Sequence, residues 1–190
     1  MTPRALLLDK DGTLIENVPM NVDPARIRLS DGAPDALGRL AMAGYRIAVV
    51  SNQPGVAFGH FSEDALHGVE QRLRELLAEC GVRLDGFFYC PHHPEGTIAE
   101  YRRTCECRKP RSALMDSAMQ TLGVTPADTW VVGDILDDIE AAHRAGARAI
   151  LFDSGGETEW QLSPVRMPDY VVTWFDEVAD IILADAGAVV

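Results

Sequence analysis

No run of apolar residues in this 190-residue chain approaches the ~20 needed to cross a membrane, which excludes a spanning protein. Met1-Thr2-Pro3-Arg4 leads into only a handful of apolar side chains before Asp9, too few for the core of a secretion signal, so the expected location is cytoplasmic. Positive charge is scarce. With 17 Lys and Arg against 29 Asp and Glu, the formal net charge is -12. No nucleic-acid partner and no anionic membrane partner is expected, since both reward clustered positive charge. The chain also lacks an internal repeat, a low-complexity tract and an interdomain linker. Its length suits one well-cored domain and is short for two, so residues 1–190 are read as a single domain. The balance of 47% hydrophobic, 7% aromatic and 24% charged residues is that of a globular protein.

Apolar segments alternate regularly with helical patterns. Strands are expected at 4–8, 45–50, 86–89, 129–132, 147–152 and 170–173, and helices at 34–43, 62–79, 112–122, 137–145 and 174–186. Ser62, followed by Glu63 and Asp64, reads as a helix N-terminus, while Gly44 and Gly146 stand where helices should stop. Such alternation predicts a three-layer, doubly wound α/β fold around a mostly parallel sheet. The stretch from Asp153 to Pro168, with Gly155-Gly156 and two prolines, is the expected mobile loop.

Carboxylates and amides collect where the strands should end. Asp9-Lys10-Asp11-Gly12-Thr13 follows the apolar Leu6-Leu7-Leu8, and open α/β sheets bind ligands beyond the carboxyl ends of their strands. Two acids one residue apart suit a hard cation such as Mg2+, with one carboxylate left to act on substrate. Asp-x-Asp-Gly also marks surface turns and calcium loops. An EF-hand loop is excluded, because Leu14 to Val18 offers neither the ligand spacing nor a flanking helix. Ser51-Asn52-Gln53-Pro54-Gly55 follows the second strand as a turn able to aim N–H groups at an oxyanion. Gly133-Asp134 follows the fourth, with Asp137 and Asp138 close behind, and Asp134 could complete a Mg2+ site with Asp9 and the carbonyl of Asp11. Each of these is also ordinary turn or cap chemistry. Their joint appearance after three different strands favours a site. Arg102, Arg103, Arg108, Lys109 and Arg111 reverse the local charge, as a solvated basic loop or as a surface for an anionic substrate.

Three of the four cysteines fall in two short pairs, Cys90-Pro91-His92 and Cys105-Glu106-Cys107. Three thiolates and one imidazole make a tetrahedral zinc set, and a filled Cys3His shell leaves no open position for catalysis. A disulfide is disfavoured in a cytoplasmic chain, and unrelated buried thiols would not cluster this way. His93 is the alternative imidazole, with His92 favoured by spacing. A structural zinc loop at 90–107 would deliver Arg108 and Lys109 to an anionic substrate.

Asp9-x-Asp11-Gly12-Thr13, Ser51 after an apolar strand, Lys109 before a helix, and Gly133-Asp134 with Asp138 resemble, in order and over most of the chain, the four motifs of the haloacid dehalogenase (HAD) superfamily of phosphotransferases. The resemblance implies a Rossmann-like fold and an Mg2+-dependent phosphatase. Asp9 would be the nucleophile and Asp11 the general acid and base. Ser51 and Lys109 would hold the phosphoryl oxygens, while Asp138 would orient Lys109 or the metal shell and Thr13 would support the turn. An Asp at position 11 separates the chain from dehalogenases and P-type ATPases of the superfamily. The zinc loop with Cys107-Arg108-Lys109-Pro110 resembles two branches, the D-glycero-D-manno-heptose 1,7-bisphosphate 7-phosphatases and the histidinol-phosphatases. Ser51-Asn52-Gln53-Pro54-Gly55 resembles the first more, which implies a sugar bisphosphate bound by Ser51, Asn52, Gln53, Arg108 and Lys109, with histidinol phosphate as the alternative. Phe58 and Ile135 depart from the Arg and Lys often found in the heptose branch. A zinc-stapled binding domain without turnover is a third reading, opposed by the presence of Asp9, Asp11, Ser51, Lys109 and Asp134 together. The motif intervals leave no room for a separate cap domain.

Overall fold

A computed structural model describes residues 3–187. Six strands form one sheet: β1 (Arg4–Leu8), β2 (Tyr45–Asn52), β3 (Leu84–Cys90), β4 (Thr129–Gly133), β5 (Arg148–Phe152) and β6 (Tyr170–Val172). Their order is β3-β2-β1-β4-β5-β6 and every neighbouring pair is parallel. The helices are α1 (Ala33–Met42), α2 (Pro54–Ala57), α3 (Ala65–Glu79), α4 (Ala113–Leu122), α5 (Leu136–Arg144) and α6 (Phe175–Gly187). Among the described residues no helix is long and apolar enough to cross a membrane.

The apolar runs are continuous because both faces of the sheet are covered. In β1, Leu6 and Leu8 enter a core shared with α1, α3 and α6, whereas Ala5 and Leu7 enter a second core with α4 and α5. Strand alternation thus feeds two opposite helical layers. The crossovers through α1 and α3 lie on one face and those through α4 and α5 on the other, so the winding reverses between β1 and β4. That switch point is where such sheets open a crevice. The segment 90–107, expected to bind zinc, packs back on the domain, through Ile98 N–H to Ala57 O (2.9 Å) and Thr97 Oγ1 to Phe58 O (3.0 Å), and no separate cap is present among the described residues.

Two local expectations are corrected. The helix expected from Ser62 begins at Ala65: Ser62 only closes a turn, its carbonyl accepting from Ala65 N–H, and Asp64 holds the N-cap position without a side-chain cap bond. The turn after Gln53 contains a short helix, α2, where Pro54 sits at the first position that tolerates it and Phe58 N–H returns to Pro54 O. Gly44 and Gly146 do end helices, at φ 85° and 79°. The stretch from Asp153 to Pro168 holds no strand and one short 3-10 turn at Pro164–Arg166. It is tied down by Ser154 Oγ to Gly12 O (2.9 Å) and by Leu136 N–H to Glu157 Oε2 (2.8 Å).

Candidate active site and zinc loop

Asp9 leaves the end of β1 and its N–H still bonds Val132 O of β4 (2.9 Å), which sets its carboxylate at the switch point. Lys109 reaches it from just beyond the 90–107 loop. The Lys109 ammonium is buried and lies 2.5 Å from Asp9 Oδ1, 2.5 Å from Asp138 Oδ1 and 3.0 Å from Val50 O. Burial disfavours the ammonium, but Asp138 and Asp9 outweigh that cost and hold Lys109 above the usual lysine range. Asn52 fixes the lysine backbone from both sides: its Oδ1 accepts from Lys109 N–H and its Nδ2 donates to Lys109 O, each at 3.1 Å. Asn52, expected to bind substrate, is thus engaged in placing Lys109.

Asp134 completes a group with Asp9 and Asp138, all three buried and with carboxylate oxygens within 4.8 Å of one another. Three carboxylates face one ammonium. Burial pushes Asp9 up to about 7, with Lys109 pulling the other way. Burial, followed by the Asp9 and Asp138 charges, pushes Asp134 up to about 8. Surplus negative charge on hard oxygen donors is the chemistry that a divalent cation satisfies, so the residues fit Mg2+. The Asp11 side chain stands outside the group, which leaves its carbonyl as the expected ligand. Asp134 is wedged between two glycines: a Cβ at Gly12 would come within 2.4 Å of its Oδ2, and one at Gly156 within 1.9 Å. In the sequence Gly156 marks only a loop, because its contact with Asp134 spans segments that sequence proximity does not connect.

Asp11 is one-third exposed and both its oxygens are held. Lys10 Nζ donates to Oδ1 (2.7 Å), and Gln53 Nε2 donates to Oδ2 (3.2 Å) and to Ser51 Oγ (2.8 Å). Ser51, Gln53 and Lys10 are buried. Gln53 N–H goes to Cys90 O (2.8 Å), so the turn does not present that amide to an anion. Arg108 is half-buried with Nη1 enclosed and unpartnered among the described residues, and the fully buried Thr13 hydroxyl is likewise unpaired. Phe58 is half-buried against the His93 ring, with centroids 4.8 Å apart, and Ile135 holds the N-cap position of α5, its N–H directed at Asp138 Oδ2 (3.4 Å).

The four expected zinc ligands converge. Cys107 Sγ lies 3.1 Å from Cys90 Sγ, 3.3 Å from Cys105 Sγ and 3.4 Å from His92 Nδ1, and Cys90 Sγ lies 3.5 Å from Cys105 Sγ. With Zn–S bonds of about 2.3 Å a tetrahedral edge is about 3.8 Å, so small outward shifts would fit zinc. His93 stands aside, its Nδ1 accepting from Glu95 N–H (3.1 Å), and Cys80 lies apart with its thiol on Leu76 O (3.3 Å). Glu63 adds a clasp that the sequence did not reveal: Tyr89 and Tyr101 hydroxyls donate to its two oxygens at 2.9 and 2.8 Å.

Two predictions follow from this geometry. Metal analysis is expected to find about one zinc per chain, and complete chelation to abolish the near-UV circular dichroism of the loop; an unaltered fold after chelation would contradict a structural role. The second concerns the acidic group. Folded Asp9 and Asp134 keep protons that the unfolded chain releases near about pH 4. Their contribution to stability is complete below that value and declines as pH rises through about 7 and about 8. In zinc-loaded protein, urea unfolding between about pH 5 and 9 should show this decline without magnesium and lose it with magnesium. An identical pH slope in both conditions would overturn the reading.

Comparison with known proteins supplies the lineage. The HAD-hydrolase-like family model matches residues 106–178. The chain is 40% identical over 147 residues to the D-glycero-beta-D-manno-heptose-1,7-bisphosphate 7-phosphatase of Salmonella typhi, covering 74% of this chain and 75% of the relative. Among solved structures, one described as a HAD-like phosphatase from Mesorhizobium loti superposes with a TM-score of 0.82 at 30% identity, over 96% of this chain and 85% of that one. The D,D-heptose 1,7-bisphosphate phosphatase of B. bronchiseptica, complexed with magnesium and phosphate, gives 0.77 at 27% identity, over 95% and 99%. At this identity and coverage, the chain belongs to the HAD-like phosphatases and is a phosphoric monoester hydrolase.

Proposed function

We propose that this phosphatase is a single cytoplasmic domain that removes the 7-phosphate of D-glycero-D-manno-heptose 1,7-bisphosphate, with Mg2+, through an aspartyl-phosphate on Asp9. The observation that carries the mechanism is the buried Asp9 carboxylate at the switch point, held 2.5 Å from Lys109 and beside Asp134. A carboxylate so fixed is preorganised for in-line attack, and its partner cation is ready for the charge of the transferring group.

In the first half-reaction an Asp9 oxygen attacks phosphorus, the ester P–O bond breaks toward the sugar oxygen, and Asp11 supplies the proton that the alkoxide needs. In the second, water attacks phosphorus, its proton passes to Asp11, and the P–O electron pair returns to Asp9 as inorganic phosphate forms. Ser51 and Lys109 hold the phosphoryl oxygens, and Asp138 keeps the ammonium aimed. Asp9, Asp134 and the Asp11 carbonyl would hold Mg2+, which when bound supplies charge neutralisation for the phosphoryl group. Zinc in the 90–107 loop is structural and keeps Arg108 and Lys109 on a fixed path.

Two observations support a bisphosphate. The relative from Salmonella typhi is named for heptose 1,7-bisphosphate, and the enclosed, unpartnered Nη1 of Arg108 suits a second anionic group. Phosphate release with Mg2+ from both heptose 1,7-bisphosphate anomers, histidinol phosphate and common sugar monophosphates tests the reading. Preference for a heptose bisphosphate is expected, with Asp9→Asn reducing turnover on the order of a thousandfold or more while zinc content and fold persist. Preference for histidinol phosphate would reassign the substrate, and wild-type turnover in Asp9→Asn would remove the covalent route.

A further inference from the structure

Lysine occurs twice among the 17 basic residues, at positions 10 and 109, and both side chains are buried in this site. Lysine is almost never fully buried unless paired, because removing an ammonium from water costs several kcal/mol that only a close counter-charge offsets. The counter-charge of Lys109 is plain from its place between Asp9 and Asp138. That of Lys10 is Asp11, at 2.7 Å, with the ammonium 1% exposed and the carboxylate 33%. The pair therefore runs from inside outward: the cation stands behind, and the carboxylate faces the crevice. The second Asp11 oxygen is taken by Gln53, whose amide also reaches Ser51. An ammonium and an amide NH2 are donors only, so neither can accept a proton from Asp11.

We infer that Lys10 is a positioning residue: with Gln53 it holds Asp11 as a hydrogen-bond acceptor from behind, in the orientation needed to take the proton of the attacking water. The inference rests on the proposed acid–base role of Asp11 and assigns Lys10 to the second half-reaction. There the water O–P bond forms, the water proton moves to Asp11, and the bond from phosphorus to Asp9 breaks with its electron pair returning to Asp9. In the first half-reaction Asp11 gives a proton to the sugar oxygen instead of taking one, so holding it as an acceptor serves the second half-reaction. Loss of the ammonium should therefore slow release of phosphate from the enzyme more than its loading.

Lys10→Met keeps the length and apolar stem of the side chain and removes the donor. With the best substrate of the panel above, kcat is expected to fall about 10- to 100-fold and KM to fall with it, leaving kcat/KM within about threefold, while phosphorylated Asp9 accumulates in acid-quenched samples. Lys10→Arg should recover most of kcat. A parallel loss in kcat and kcat/KM without phosphoenzyme, or wild-type kinetics, would overturn the inference and leave Lys10 as a buried structural cation. Should Lys10→Met fail to fold, the wild-type chain still provides a test, because 15N labelling of lysine yields only two side-chain signals. Asp11→Asn is expected to shift one and Asp9→Asn the other, and an Asp11→Asn spectrum with neither signal moved would remove the contact. Asp11→Asn also separates the two levels: full turnover in that variant refutes the acid–base role itself, whereas lost turnover there with wild-type Lys10→Met refutes only the part given to Lys10.

Discussion

One buried ammonium among three buried carboxylates is the constraint around which the molecule is arranged. Lys109 has bonds to Asp9 and Asp138, but among the described residues Asp134 has no cation of its own, and all three acids lie within reach of a single ion. A free-standing cluster of this kind would be costly in an interior, since each charge loses its hydration and like charges repel. The sheet makes it possible. β1 and β4 end side by side at the point where the winding reverses, so Asp9 and Asp134 emerge together from two parallel strands whose buried faces leave them no freedom to turn away.

The loop that carries the Cys90, His92, Cys105 and Cys107 cluster solves a separate problem, which is to bring a lysine one hundred residues away in sequence to Asp9 with little slack. Cys107 stands two residues before Lys109, so fixing three sulfurs and one imidazole fixes the path of the chain into the site. Asn52 grips the lysine backbone from the end of β2, and Glu63 ties Tyr89 and Tyr101 to the outer side of the same loop. The thiol and imidazole cluster, the Asn52 amide and the Glu63 carboxylate thus restrain one segment from three directions. This is preorganisation of a buried cation beside Asp9 by supporting contacts, which lie mostly in loops anchored to rigid strands.

Much of this was legible in the residues. Every strand and every long helix stands near its expected position because the sheet is buried on both faces and its apolar runs are unbroken. The metal-ligand spacing of Cys90, His92, Cys105 and Cys107, and the strand-end positions of Asp9, Ser51 and Asp134, likewise need only local order to be read. What escaped has a common character. The bonds that the Asn52 and Gln53 amides make to Lys109, Asp11 and Ser51 are not visible in the sequence, because which way a polar side chain turns is decided by partners distant in sequence. Gly156 and Glu157 touch Asp134 and Leu136 only after β5 has returned the chain to the site. Ser62 carried a capping signal that the backbone did not follow, since the helix starts three residues later, at Ala65.

Asp9 and Asp134, with surplus buried negative charge, are expected to form a divalent cation site separate from the Cys3His cluster. Calorimetric titration of zinc-loaded protein with Mg2+ near neutral pH tests it directly, because carboxyls held up to about 7 and about 8 by burial must release protons as a cation binds. The account predicts one Mg2+ per chain with measurable proton release, lost in Asp134→Asn. Absence of binding, or binding that Asp134→Asn leaves unchanged, would contradict it.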